Sequence, residues 1–205
     1  LNCVSNSKIL NSNYFENIWI QPSAGDAGGS IGTALNVYYN HLKNKRNTYE
    51  NDSMNGAYLG NEYADDEINE LLIKSGAKFN KMKYEEMISF TAKRLEEGYA
   101  IGWHQGKMEF GPRSLGNRSI LADPRSEKMQ KNLNLKIKFR EGFRPFAPSI
   151  LKEDLEEWFN LKVPSPYMLI VADVKDSKKL QQNDNHNTEG FEKLNLKRSL
   201  IPAVT

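Results

Sequence analysis

Residues 102–125 restrict what this chain can fold into more than any other stretch. Gly102, Gly106, Gly111 and Gly116 interrupt it, and Arg113, Arg118 and Arg125 stand within thirteen residues of one another. A solvated helix face does not need the glycines. A packed core does not tolerate so many guanidinium groups, which are almost never buried unpaired. Backbone amides exposed at glycines, together with planar guanidinium forks, suit a multiply charged oxyanion such as phosphate. A second segment, 136–148, carries Lys138, Arg140 and Arg144 among phenylalanines, with Pro145 and Pro148 stiffening the backbone.

The charge distribution supports that reading. Between Trp103 and Arg144 there are ten basic and four acidic side chains, in a chain whose net charge is only +2. Lys128, Lys131 and Lys136 fit a solvated helix face; arginines beside Gly, Pro and Phe do not. A groove for RNA is the alternative use of such a surface, but the whole-chain isoelectric point near 8.5 is not extreme and no nucleic-acid-binding motif is present. Hydrophobic content of 39% is that of a soluble globular protein. No apolar run approaches the roughly 20 residues that span a bilayer. The N-terminus has no signal-peptide pattern, and Leu1 in place of Met predicts a chain that begins inside a longer protein. Cys3 has no intramolecular partner, which fits a reducing, cytoplasmic setting.

Hydrophobic periodicity predicts a mixed α/β chain. A strand is expected at 18–21, a Gly-rich turn at 23–29, and a helix over 30–42 burying Ile31, Ala34, Leu35, Tyr38 and Leu42. The polar stretch 43–56 reads as a linker. Asp65 or Asp66 opens a helix with Ile68, Leu71 and Leu72 inward, ending at Gly76. A second amphipathic helix covers 84–97, with Met87, Ile88, Thr91 and Leu95 inward and Gly98 as its stop. Further expectations are a strand at 99–103, a helix from 126 or 127 to 137, extended chain at 148–151, a short helix around Leu155, Trp158 and Phe159, a buried strand at 168–174, a mobile loop at 175–193 and a strand starting at 200. Phe143 and Phe146 read as core.

With those residues in view, the chain resembles the C-terminal part of O-carbamoyltransferases of the nodulation and antibiotic-tailoring (NodU/CmcH) type. The likeness runs through Gln21 to Gly29, Gly60 to Ile68, Gly102 to Arg125, Asn134 to Leu151, Ser165 to Met168 and Ile201 to Thr205. It implies an ASKHA-type remnant over 1–46, a linker over 47–58, and a YrdC-like domain over 59–205, a twisted mixed sheet with flanking helices. It implies binding of carbamoyl phosphate and ATP with Mg²⁺, formation of a carbamoyl-adenylate, and transfer to a hydroxyl of a small acceptor such as a sugar, antibiotic or nodulation factor. The partner in that chemistry is an N-terminal ASKHA-type domain, which carries Fe²⁺ in the family. The competing reading is a YrdC-like RNA-binding module.

The residues assigned to the reaction are Lys138, Arg140 and Arg144. Those assigned to nucleotide and phosphate are Lys107, Arg113, Ser114, Asn117, Arg118 and Ser119. Arg113, Arg118, Arg140 and Arg144 are expected to converge on one pocket. Asp26 reads as a helix N-cap from its surroundings; the resemblance instead places it at the metal. His41, His104 and His186 have no metal-ligand spacing, and Ser114 lacks the Gly-x-Ser-x-Gly elbow of a serine hydrolase.

Overall fold

A computed structural model describes residues 2–48, 52–181 and 196–205. The elements in chain order are α1 (Cys3–Asn11), α2 (Asp26–Asn36) continued by a π-helical turn (Val37–His41), α3 (Asp65–Lys74), α4 (Tyr84–Glu96), β1 (Ile101–His104), β2 (Arg118–Leu121), α5 (Met129–Lys136) and α6 (Leu155–Trp158). Strands β1 and β2 form a two-stranded antiparallel sheet, so the chain is mixed α/β. No helix among the described residues is long and apolar enough to cross a membrane. Contacts divide the chain into two units: Leu1–Met82 with Gly102–Ser119 and Ser165–Val171, and Lys83–Ile101 with Ile120–Pro164 and Ala172–Thr205.

In the first unit, α1 starts where the Asn2 side chain accepts from the N–H groups of Val4 and Ser5, at 3.0 and 3.1 Å. Sequence reasoning missed this helix, because its Asn- and Ser-rich composition hides the periodicity; the Asn cap was the available signal. The buried Ser7 hydroxyl lies 2.7 Å from both the N–H and the carbonyl oxygen of Val171. Asn6 Nδ2 donates to the Leu169 carbonyl at 2.9 Å. These contacts correct the expected strand at 168–174: side chains of α1 satisfy backbone groups that a ladder would have used. Met168 also sits at φ +56°, outside the extended region. Residues 18–21 likewise form no ladder.

Helix α2 begins at Asp26, four residues earlier than expected, so Asp26 is its first residue and Gly25 its cap. That places an acid in the first turn, at the positive end of the helix dipole. Helix α3 begins as expected, with Glu67 accepting from the Ala64 N–H at 2.9 Å. The predicted inward faces need correction, since neither helix has a buried residue. Ala34, Leu35, Tyr38 and Leu42 on the α2 side and Ile68 and Leu71 on α3 are exposed, while Ile31 and Leu72 are half-buried. Periodicity identifies the face of a helix that is apolar, not whether this stretch of chain supplies its cover.

In the second unit, α4 follows its forecast closely, with Met87, Ile88, Thr91 and Leu95 half-buried. Two small cores form. Met129 and Leu133 of α5 pack with Ala203, flanked by Ala122 and Phe146. Phe159, Val174 and Ile201 make the other, flanked by Leu155 and Trp158 of α6 among others. Phe159 and Val174 are joined by an isolated antiparallel bridge. The strand expected from 200 is a turn, with the Val204 N–H on the Ile201 carbonyl and the Ala203 N–H on the Pro124 carbonyl. Phe146 is half-buried as core-like packing requires, but Phe143 is 52% exposed. The loop expected at 175–193 opens with a 3₁₀ turn at Asp176–Lys178; its part over 182–193 lies outside the described residues.

Candidate functional site: two organised arginine loops

The first loop, 105–119, is built around a carboxylate that the sequence did not single out. Glu109 is 3% exposed. Its Oε1 accepts from the N–H groups of Leu115, Asn117 and Arg118, at 2.8, 2.8 and 3.1 Å. Its Oε2 accepts from Arg118 Nε at 3.0 Å, and its own carbonyl accepts from Arg118 Nη2 at 2.8 Å. Burial alone would raise this carboxyl. The backbone donors and the Arg118 guanidinium outweigh that cost and hold it down at about 2.

The rest of the loop is tied to its own unit. Asn117 Nδ2 donates to the Lys107 carbonyl at 2.7 Å, and Ser119 Oγ accepts from the Gly116 N–H at 3.2 Å. The Tyr58 hydroxyl donates to the Leu115 carbonyl at 2.6 Å, and Ser23 Oγ to the Phe110 carbonyl at 2.7 Å. Tyr167 donates to Asp52, and the Gly56 N–H meets both. Burial, followed by the Asp52 hydrogen bond and charge, pushes the Tyr167 phenol up to about 12.

Gly111 sits at φ +105°, and a Cβ there would meet Ser23 Oγ at 2.5 Å. Gly111→Ala is therefore expected to lower stability by about 1–2 kcal/mol, through a disfavoured backbone region and loss of the Ser23–Phe110 bond. Urea unfolding of the two proteins measures it.

Among the predicted phosphate residues, Asn117, Arg118 and Ser119 are brought together as scaffold of this loop. Lys107, Arg113 and Ser114 are exposed. No hydrogen bond or ion pair engages the Lys107 and Arg113 side chains among the described residues. The outward-facing cations of the loop are these two, and Arg118 is the cation that shapes it.

The second loop, 137–146, lies in the other unit and has a different organiser. Asn134, on α5, is completely buried. Its Oδ1 accepts from Arg140 Nε at 2.6 Å, and its Nδ2 donates to the carbonyl oxygens of Gly142 and Arg144, at 3.3 and 2.9 Å. Gln130 Nε2 adds bonds to the Phe143 and Arg144 carbonyls, both at 3.2 Å. The Arg140 guanidinium carbon lies 5.1 Å from the centre of the Phe146 ring. Neither Nη of Arg140 has a protein hydrogen-bond partner among the described residues. Arg144 pairs with Glu141 at 2.7 Å on the surface. The Arg144 hydrogen bond and charge hold the Glu141 carboxyl below its ordinary range. Lys138 is exposed.

Asp26 is exposed on the first turn of α2. Among the described residues no three His, Cys, Asp or Glu side chains come together as metal ligands. A lone carboxylate leaves most of a coordination sphere to water, so the described residues do not by themselves fit an iron site. His41, in the π-helical turn after α2, and His104, the last residue of β1 directly before the first loop, are both exposed; His186 lies outside the described residues.

Comparison with known proteins shows similarity along the chain. A family model described as carbamoyltransferase C-terminus matches residues 92–205, and one described as carbamoyltransferase N-terminus matches residues 1–35. An uncharacterized protein of Synechocystis is 49% identical over 209 residues, covering 100% of this chain and 34% of that protein. Nodulation protein NolNO of Sinorhizobium fredii is 40% identical over 182 residues, covering 87% of this chain and 26% of that protein. A 3'-hydroxymethylcephem-O-carbamoyltransferase of Streptomyces clavuligerus is 30% identical over 176 residues, covering 86% of this chain and 31% of that protein. The chain thus spans about a third or less of the length of these relatives.

Proposed function

This chain belongs to the carbamoyltransferase family, and from that premise we propose that it binds carbamoyl phosphate and ATP for O-carbamoyl transfer. The observation that carries the proposal is the state of Arg140: anchored at Nε, stacked on Phe146, and with neither Nη paired among the described residues. Such a fork matches two oxygens of a phosphate. Lys107 and Arg113, on the Glu109-centred loop, offer further charge to polyanions. Lys138 stands two residues before Arg140 in sequence and adds to the local positive field, while Arg144 is paired with Glu141 and would have to exchange that partner to meet an anion.

The reaction in this reading has three steps. Carbamoyl phosphate loses phosphate to water and leaves carbamate. A carbamate oxygen attacks the α-phosphorus of ATP; the new O–P bond forms as the bond to the β-phosphate oxygen breaks, and pyrophosphate leaves. The acceptor hydroxyl then attacks the carbamoyl carbon, AMP departs with the C–O electron pair, and the hydroxyl proton passes to solvent. Bringing two polyanions together is the electrostatic difficulty, and fixed guanidinium groups offset it while holding the reactants in line. Mg²⁺ accompanies ATP and screens its phosphates. The carbamate oxygen is already anionic, so adenylation needs no general base.

The acceptor belongs to the hydroxyl-bearing small-molecule class, the class to which the 3'-hydroxymethylcephem named for two of the relatives belongs. The division into an ASKHA-type remnant over 1–46 and a YrdC-like domain over 59–205 is part of the same reading, supported by separate matches at 1–35 and 92–205. So is a cytoplasmic setting, in keeping with a lone cysteine.

Titration at several salt concentrations tests the binding claim. Carbamoyl phosphate is expected to saturate one site and to outcompete a short RNA oligomer at about 0.2 M salt, since binding through many RNA phosphates weakens steeply with salt. RNA binding that excludes carbamoyl phosphate throughout the series would favour the nucleic-acid reading instead.

A further inference from the structure

The two loops hold their central arginines by the same device with opposite electrostatic outcomes. Arg118 Nε is fixed by the Glu109 carboxylate, which cancels its charge locally. Arg140 Nε is fixed by the Asn134 amide oxygen, which is neutral and leaves the guanidinium charge for something else. A buried carboxylate at 134 would have made the same bond and neutralised the fork.

The Asn134 amide has a full set of partners. It accepts from Arg140 Nε at 2.6 Å and donates to two backbone carbonyls of the loop that carries Arg140 and Arg144. Its own carbonyl accepts the Arg140 backbone N–H at 3.0 Å. One side chain therefore sets both the path of the loop and the direction of the guanidinium. Phe146 closes off one face of that group, leaving the Nη edge open. An exposed arginine loses rotamer freedom when it grips a ligand; one already immobilised at Nε loses less, and the difference appears as affinity.

We propose that Asn134 is a positioning residue that aims the free Nη edge of Arg140 at a phosphate-type anion. The proposal rests on the anion-binding role argued above for Arg140. Its test is a double-mutant cycle read by calorimetric titration with inorganic phosphate, using wild type, Asn134→Ala, Arg140→Ala and the double variant. Asn134→Ala and Arg140→Ala are each expected to weaken phosphate about ten-fold, and the double variant to be within about two-fold of Arg140→Ala alone, because neighbours that act through each other are not additive. If Arg140→Ala weakens phosphate and Asn134→Ala does not, the positioning role is overturned and the function reading stands. The role is equally overturned if Asn134→Ala weakens phosphate as much without Arg140 as with it. An unchanged affinity in Arg140→Ala overturns the function reading and the positioning role together.

Should Asn134→Ala not fold, wild type still decides the matter through proton exchange at the arginine Nε groups, followed by NMR and assigned by loss of the signal in Arg140→Lys. The Arg140 Nε proton is expected to exchange about ten-fold or more slowly than that of Arg113, because only the former is hydrogen-bonded to a buried acceptor. Equal rates would show that the Asn134 contact does not hold the guanidinium.

Discussion

Arg140→Ala is expected to weaken carbamoyl phosphate binding by about 1.5–3 kcal/mol, or roughly ten- to 150-fold, the range for a charge-assisted hydrogen bond. Arg140→Lys should recover only part of that loss. A lysine has no planar Nε–H to donate to Asn134 Oδ1, cannot stack its head on Phe146 in the same way, and presents no two-toothed edge. Lys131→Ala is the control: Lys131 is an exposed residue of α5, and its loss should alter binding by less than about two-fold, as for other solvated surface charges. Calorimetric titration of the four proteins gives the comparison directly. Equal losses for Lys131→Ala and Arg140→Ala would mean that a diffuse basic surface, and not an oriented fork, holds the anion.

The second large effect is on stability. Glu109→Gln should destabilise the protein by about 2–4 kcal/mol at neutral pH. The carboxylate is wholly covered and collects three backbone N–H groups and the Arg118 Nε. A carboxamide keeps one acceptor oxygen and turns its nitrogen towards a donor, leaving Arg118 without a counter-charge. The pH dependence has a defined sign. The folded carboxyl sits at about 2, below the roughly 4.3 of an unfolded glutamate. Its contribution is therefore complete above the unfolded value and is lost as pH falls towards 2. The gap between wild type and Glu109→Gln, measured by urea unfolding at a series of pH values, should be constant from pH 7 to about 5 and close progressively below that. A gap that stayed constant to pH 2 would show that folding does not lower the Glu109 carboxyl.

Helices with strong end signals were well anticipated from the sequence. The acids at 65–67 and the run from Tyr84 to Gly98 mark α3 and α4 by charge, period and stop residue, and those features act locally. Strands fared worse, because a strand depends on a partner elsewhere in the chain. The apolar run 168–174 has strand composition, but Ser7 and Asn6 of α1 take its backbone groups. Strand β2 was hidden because Arg118 and Ser119 look like loop chemistry.

For the candidate site, the segments were visible while their internal organisation was not. Arginines among glycines and prolines are conspicuous in a sequence. Glu109 and Asn134 are not, since their importance comes from burial and from which donors the folded loop turns towards them. One signal was available for each: the one acid of 105–119, inside a basic, Gly-rich stretch that exposes many N–H donors, and an asparagine two residues before the end of α5, six residues ahead of an arginine.

Mass spectrometry of the products formed when the protein is mixed with carbamoyl phosphate, ATP and Mg²⁺ decides whether the chain adenylates carbamate. Carbamoyl-AMP, or AMP from its breakdown, is expected together with pyrophosphate and phosphate, appearing only when carbamoyl phosphate is present and strongly reduced in Arg140→Ala. Unchanged ATP in the presence of saturating carbamoyl phosphate, or AMP formed at the same rate without it, would contradict the account.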